Sequence, residues 1–587
     1  MFREPPASPS RLQRRLYGTM WLALLAGFYL LTGLTGHEPW RGDDIRYFAP
    51  VYSMLQGEGL FFPQIGGVPF IEYPPLYYWC AALLAFITGG LLDAHDGARL
   101  ASAVFTALTA YWVARAAERL YGRLARAPAA LLILGSLGLV LHAHETQPII
   151  ALMATIALVL AGIARVPEQP LTGCLQAGSG CALSILAGGI PGLLLTAPLF
   201  ALVMMVSPEC RTPRASGGLL AGLALAACLG GLWPLALHLE MPEIFAAWRH
   251  GQWRHIAGRP LDAGEFFRVV ELLSWFLWPL WPIALWALWR ERRRLLQLRW
   301  LLPLLSAITA ALLLAVSSDH SPPAALPLLP ALALLAAGGL PTLRRGAANA
   351  FDWFSTMNFG VFAILVWIAW TAQAFAWPPG LARYVARAAP AFTLPQAEAL
   401  PQILLGLGIC LLWLILNWQL PRAPGRAAIR WAMGMTMLWC LAVTLLMPWF
   451  DHGRSYRPMA EALNEALVPY AGECVAGRKL PDSIRGMLDY YTGLRPDPAP
   501  DGTTPCRLLL LYSDRKAEEP VPPEGWKPAW TFRRGGGKQF ESLHLYIRSD
   551  SDQVSIHARE RGGEGRALPD DVPSEGEGSQ PEWVFGE

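Results

Sequence analysis

Residues 180–206 read GCALSILAGGIPGLLLTAPLFALVMMV, a run without one Asp, Glu, Lys, Arg or His. Residues 400–418, LPQILLGLGICLLWLILNW, form a second such run. About 20 apolar residues in a helix cross the ~30 Å hydrocarbon core of a bilayer. Helix is the form expected there, because lipid offers no partner to an unpaired backbone group. Neither run alternates as the strands of a membrane barrel do. The whole chain agrees: of 587 residues, 54% are hydrophobic and only 16% charged, where a soluble domain has about a quarter charged. A soluble globular enzyme is thereby excluded. The net charge of +3 gives no electrostatic case for a nucleic-acid partner.

Thirteen candidate spans can be drawn, beginning near residues 17, 98, 126, 147, 174, 190, 217, 271, 299, 324, 357, 400 and 429. AGGIPG, residues 187–192, reads as a turn between two short spans. With the N-terminus (1–16) in the cytoplasm, the basic loops RAAERLYGRLAR, ECRTPR, RERRRLLQLR, LRRG and PRAPGR all fall inside. The Lys- and Arg-free loops HAHETQ, AGGIPG and SSDHSPP fall outside, the positive-inside pattern. Counting the apolar stretch 74–92 as a span would invert every later loop, so it is expected to lie at the outer interface or to re-enter. The loop 238–268, with four Arg, falls outside against the charge rule.

The fold class expected is therefore an all-α polytopic membrane protein of about 13 transmembrane helices, residues 17–450, with a first outer loop at 36–97. Parity places residues 451–548 outside as a small α/β periplasmic domain. There SYRPMAEALNEAL and SIRGMLDYYTGL have helical periodicity, and CRLLLLYS and ESLHLYIR read as strands. Residues 549–587, rich in Gly, Ser, Asp and Glu, read as a disordered tail. Seven cysteines sit in or beside apolar segments as small packing residues. Cys474 and Cys506 sit in the polar region and form a disulfide candidate if it faces an oxidising compartment.

The first outer loop carries the chemistry: HEPWRGDDIRYFAPVYSMLQGEGLFFPQIGGVPFIEYPPLYYW, residues 37–79. Asp43 and Asp44 stand together where the chain leaves the membrane, with Arg46 two residues on. Ionised groups at this boundary are costly unless hydrated, paired or used; spacing alone leaves open that they are simply solvated. A carboxylate can act as general base on an acceptor hydroxyl or amine, and an Arg can bind phosphate oxygens. His142, His144 and Glu145 gather at the end of the third candidate span, but no spacing singles out a metal site.

The string DDIRY, the later FIEYPPLYYW, ARLASA at 98–103, LSWFLWPLWP at 273–282 and SSDHSPPAALPLLPALALLAA at 317–337 together resemble the GT-C membrane glycosyltransferases. The nearest branch is the family 39 type, related to protein O-mannosyltransferases and to the transferase that places aminoarabinose on lipid A. The resemblance covers most of residues 17–345. It implies transfer of a sugar, with inversion, from a polyprenyl-phosphate donor to lipid A, another glycan or a protein at the periplasmic face of a bacterial inner membrane. No cofactor is implied beyond the lipid-linked sugar, and no metal.

By position, the resemblance makes Asp43 the acid that activates the acceptor and gives Asp44 the place of a following Glu, both catalytic. Arg46 matches the basic residue facing the carrier phosphate, and Glu72 the acid before the PPL turn. Three cations of the pattern are replaced: Tyr73 follows Glu72 where Lys is usual, Gly188 stands for Lys in the AGGIPG turn, and His320 stands for Lys in SSDHSPPA. Gln147 replaces an Asp. The missing positive charge is expected from Arg46, His320 and the outer Arg249, Arg254 and Arg259. Substrate binding is thus assigned to Arg46, Glu72, Tyr73, His320, Arg249 and Arg254. Two rival functions remain on these residues: a flippase or transporter for a lipid-linked sugar, and a non-catalytic assembly factor descended from a transferase.

Overall fold

The longest apolar run turns back on itself at one glycine. Helix Pro170–Val206 breaks at Gly189, whose backbone sits at φ 60°, ψ −133°, a conformation that only Gly adopts without strain. Past the break the chain reverses: a methyl group on Gly192 would strike the Ser184 carbonyl oxygen, and one on Gly188 would meet the Leu152 side chain at 2.8 Å. AGGIPG therefore joins two antiparallel segments, as its composition suggests. The backbones also close on a neighbouring helix, Pro213–Glu240, where Gly178 leaves no room for a side chain against Gly222. Small residues at such crossings let membrane helices approach closely.

The structure, a computed structural model, describes residues 19–256, 258, 263–389, 392–420, 425–499, 503–514, 520–534 and 540–549. The N-terminal segment 1–16, Arg259 and the tail from residue 550 lie outside the described residues. Two compact units divide the chain, Met1–Tyr456 and Arg457–Glu587.

In the first unit, eight helices among the described residues are long and apolar enough to cross a membrane, or nine if a pair bent by 94° (264–276 with 280–290) counts as one span. The sequence count of thirteen is not recovered: the candidate at 17 is described only as the 13-residue helix Thr19–Leu31, the one at 271 is the bent pair, and three more are lost as follows. The segment from residue 126 stops at Leu134, after nine residues. Ile149–Arg165 is a 17-residue helix, just short of a span by length. The two candidates at 174 and 190 are the two arms of the broken helix. Helix Leu76–Thr88 has 13 residues, about 20 Å of rise, too little for the ~30 Å core. The loop expected at 238–268 is largely helical, with Pro242–Ile256 and the start of Ala263–Phe276.

Burial sorts the helices. Ile149–Arg165 is buried along nearly its whole length, and the window at Pro322–Thr342 is 83% buried. By contrast Ala399–Gln419 is 17% buried and turns leucines outward, as a lipid-facing helix must. The protein core therefore lies around Ile149–Arg165 and Ala94–Tyr121, which pack on each other.

The second unit is a mixed α/β fold. Its five-stranded sheet runs in the order Asp497–Pro498, Val475–Arg478, Leu508–Ser513, Glu541–Arg548, Trp526–Arg534. Val475–Arg478 pairs parallel with both neighbours; the other pairs are antiparallel. Helix Arg457–Leu467 and strands Leu508–Ser513 and Glu541–Arg548 fall where periodicity placed them. Cys474 and Cys506 are joined as a disulfide.

Candidate active site

The loop after the first helix carries the site because a glycine starts a helix there. Gly42 takes φ 89°, a left-handed value open to Gly, and the helix Asp43–Leu55 begins at once. Two carboxylates in its first turn favour it through the helix dipole. Successive helical residues point about 100° apart, and this angle separates the two acids.

Asp44 turns inward and is 1% exposed. Its Oδ2 accepts from Arg99 Nη2 at 2.7 Å and from the Trp40 amide at 3.0 Å; its Oδ1 accepts from the Thr146 amide at 2.7 Å. Arg99, from the Ala94–Tyr121 helix and fully buried, also donates to Asp96 at 2.9 Å and to the His37 and Glu38 carbonyls at 2.8 Å each. Burial pushes the Asp44 carboxyl up, but the Arg99 charge and hydrogen bonds hold it well below the usual carboxylate range. The sequence assigned Asp44 a catalytic part. The structure instead makes it an anchor, since its oxygens are occupied and sealed from any substrate.

Asp43 is half-buried, and Gln147 Nε2 approaches its Oδ2 at a long 3.4 Å. Burial raises its pKa, against the opposing pull of Arg46, His142 and the Gln147 hydrogen bond. It is the more exposed acid of the pair.

Beside it, Arg46 Nη2 lies 2.7 Å from Glu72 Oε2, and the Tyr47 hydroxyl donates to Glu72 Oε1 at 2.8 Å. The Arg46 guanidinium stands 5.7 Å from the Phe70 ring. Tyr73 is set edge-on to Tyr47, with ring centroids 5.6 Å apart. Burial, then Glu72, Asp319 and Asp43, push its phenol well above the usual value, so it stays a neutral hydroxyl. Asp319 acts on both Asp43 and Tyr73 and so faces the same cluster from the loop after Leu298–Val316.

Arg249 and Arg254 do not join the cluster through any described contact. Both are exposed on Pro242–Ile256, and Arg249 lies over Phe245 at 5.8 Å. The opposite face of that helix does the work: Gln252 donates to the Glu72 carbonyl at 3.1 Å and accepts from the Ile190 amide at 3.3 Å, tying the Gly189 break to the acid loop. His320 is half-buried with no hydrogen-bond partner for Nε2 among the described residues. Gly188 is packed on Leu152 and supplies no cation.

Sequence reasoning did not single out Arg99, Tyr47, Asp319, Gln252 or Asp451. Arg99 had a signal: an Arg that opens the apolar stretch of a membrane helix needs a partner. Asp451 had none. Its Oδ1 accepts the Glu38 amide and the Trp40 indole N–H, each at 3.0 Å, and so pins the acid loop from the far end of the unit. A cavity of about 410 Å³ lies elsewhere, lined by Met204, Met205, Cys210, Arg211, Thr212 and Ser216 among others, and does not include Asp43.

The fold is shared with a solved structure. It superposes on the crystal structure of ArnT from Cupriavidus metallidurans bound to undecaprenyl phosphate, with a TM-score of 0.64 and 18% identity, covering 90% of this chain and 98% of that one; the apo form of the same protein gives 0.60 at 17% identity, with the same coverage. In sequence the chain is similar to undecaprenyl phosphate-alpha-4-amino-4-deoxy-L-arabinose arabinosyl transferase 1 of Pseudomonas fluorescens, 29% identical over 249 residues, which is 40% of this chain and 41% of that protein. The corresponding transferase of Pseudomonas aeruginosa is 29% identical over 242 residues, 40% of this chain and 43% of that protein. The match thus spans less than half the length of these relatives. No protein-family model matches the chain.

Proposed function

We propose that the chain is a membrane glycosyltransferase that moves a sugar from a polyprenyl-phosphate donor to lipid A, another glycan or a protein. The observation that carries this reading is the division of the acid pair: Asp44 is locked by Arg99, and Asp43 is left accessible beside Arg46, Glu72, Tyr73 and Asp319. The names of the sequence relatives point to undecaprenyl phosphate and 4-amino-4-deoxy-L-arabinose as the donor to test first.

In the reaction, Asp43 takes the proton of the acceptor hydroxyl as its oxygen bonds to the anomeric carbon. The bond from that carbon to the phosphate oxygen breaks, and its electron pair leaves with the carrier phosphate. Attack from the opposite face inverts the anomeric centre. Arg46 meets the growing negative charge, a guanidinium being a fixed cation suited to phosphate oxygens. No metal cofactor is assigned; the cations of the chain, Arg46 first and His320 when protonated, serve the phosphate. Arg249 and Arg254, exposed on their helix, are placed to attract an anionic substrate rather than to hold it.

The Cys474–Cys506 bond supports placing the second unit in an oxidising compartment, the periplasm, with the N-terminus cytoplasmic and the spans in the inner membrane. The test is an assay of the purified chain with radiolabelled lipid-linked sugar and lipid A. A transferase releases the carrier phosphate and labels the acceptor. Movement of label across the bilayer without release would identify a flippase, and neither event an assembly factor.

A further inference from the structure

The motif HAHETQ, residues 142–147, reaches both acids from outside the acid helix. The Thr146 amide donates to Asp44 Oδ1 at 2.7 Å, and Gln147 Nε2 stands 3.4 Å from Asp43 Oδ2. One side of this turn is held by hydroxyls. The Ser102 hydroxyl donates to the Glu145 carbonyl, and the Gln147 amide donates to the Tyr77 hydroxyl at 3.1 Å. The other side is held by His144.

His144 is 1% exposed, so no substrate touches it. Its Nδ1 lies 2.6 Å from the Val140 carbonyl oxygen, one helical turn back. Its Nε2 lies 2.7 Å from the Tyr29 carbonyl oxygen, in the helix Thr19–Leu31. The Tyr29 ring stands edge-on to the imidazole at 5.4 Å. The Trp439 indole, from Arg426–Arg454, lies against its face with ring centroids 4.4 Å apart. A neutral imidazole donates to one carbonyl and a protonated one to both. Two carbonyls and two rings thus fix its place, and with it the chain two and three residues on.

That chain sets the surroundings of Asp43. The charged groups facing Asp43 are Arg46 from its own helix, His142 from the preceding turn and Asp319 from the loop after Leu298–Val316. The Gln147 hydrogen bond is an uncharged contact that favours the ionised carboxylate. At 3.4 Å it is the contact most easily lost when the turn shifts, because a hydrogen bond weakens steeply beyond its usual length.

We propose that His144 is a positioning residue for the base: by tying the turn 142–147 to the first helix it holds the Gln147 side chain at Asp43 and the Thr146 amide at Asp44. The proposal rests on the reading of Asp43 as the base.

The experiment follows protonation of Asp43 in the full purified chain by infrared spectroscopy, as the acid carbonyl band missing from Asp43→Asn, titrated against pH. The pH profiles of kcat and KM for carrier-phosphate release are measured beside it. His144→Phe keeps a ring against Trp439 and removes both nitrogens. Its Asp43 titration should move to higher pH, and the rising limb of kcat should move with it. The kcat should fall by up to about a hundredfold, as for a misplacement of ~1 Å, with KM unchanged. Gln147→Leu should give the same shift, and the double variant no further one, since residues in one chain of contacts are not additive. His144→Asn keeps an amide near the Val140 carbonyl and gives up Tyr29. It should shift the titration in the same direction, and it carries the test if His144→Phe does not fold. An unmoved Asp43 titration in a folded His144 variant overturns the proposal, as does a double variant whose shift is the sum of the two. A shifted infrared titration in a chain that transfers no sugar supports the positioning role and removes the reading of Asp43 as the base.

Discussion

Arg99 and Asp44 close on each other at 2.7 Å across 55 residues of sequence, and both are sealed from solvent. This pair fixes the start of the acid helix to the Ala94–Tyr121 helix. Removing one partner of a buried ion pair costs about 3–5 kcal/mol. Asp44→Asn should therefore lower the melting temperature in detergent by several degrees, and Arg99→Leu more. A normal melting curve for Asp44→Asn would mean that the pair does not hold the loop.

The two acids respond to pH in opposite ways. The Asp44 pKa is depressed by Arg99, so its contribution to stability is present above the ordinary carboxylate pKa of ~3.9 and is lost as pH falls through the depressed folded value. The Asp43 pKa is raised by burial, so the fold favours its protonated form, and that favourable term is lost as pH rises through the raised folded value. Catalysis needs the ionised form. The pH profile of kcat/KM should thus rise through an apparent pKa above ~3.9, and a profile flat down to pH 4 would count against Asp43 as the base.

Arg46 links the two halves of the site. Because it lowers the Asp43 pKa, Arg46→Gln should shift the rising limb of the pH profile upward. It should also cut kcat by about a hundredfold, the usual effect of losing one donor to a charged transition state. A loss of rate with no shift would confine Arg46 to the phosphate, away from Asp43.

Gly189→Ala tests the reversal that seats Gln252. A side chain at φ 60°, ψ −133° is strained by about 1–3 kcal/mol, and the added methyl would meet Gln252 Oε1 at 2.7 Å. The variant should melt earlier and turn over more slowly. Wild-type behaviour would show that the tie from Gln252 to the Glu72 carbonyl is dispensable.

Cys474 and Cys506, separated by 32 residues, close a loop for which chain entropy gives about 3–4 kcal/mol. Mass analysis of chain isolated from membranes should show one disulfide, and Cys506→Ser should make residues 457–549 more sensitive to protease. Two free thiols would argue against the periplasmic placement.

The helical membrane class was legible in the sequence because charge-free runs such as 400–418 have few other solutions. The adjacency of Asp43 and Asp44 was legible too, but not their difference in burial. That depends on the 100° step between Asp43 and Asp44 and on Arg99, which sits in the ARLASA stretch and gives no sign in sequence of which acid it takes. Asp451 reaches Trp40 from 411 residues away, a distance no local pattern reports. The charge-based choice of Arg249 and Arg254 looked to the exposed side of a helix whose other side carries Trp248 and Gln252, because amphipathic spacing over 242–256 was not read. The strand Val475–Arg478 is four residues long, too short to announce itself by alternation.

Asp43, and not its neighbour, is the residue proposed to activate the acceptor. Its most direct test is the rate of carrier-phosphate release from radiolabelled lipid-linked sugar by the purified Asp43→Asn protein. The variant should melt at or above the temperature of the unaltered protein, yet release phosphate at least about a hundredfold more slowly, as expected when a general base is lost. Release at the unaltered rate by a folded Asp43→Asn protein would contradict it.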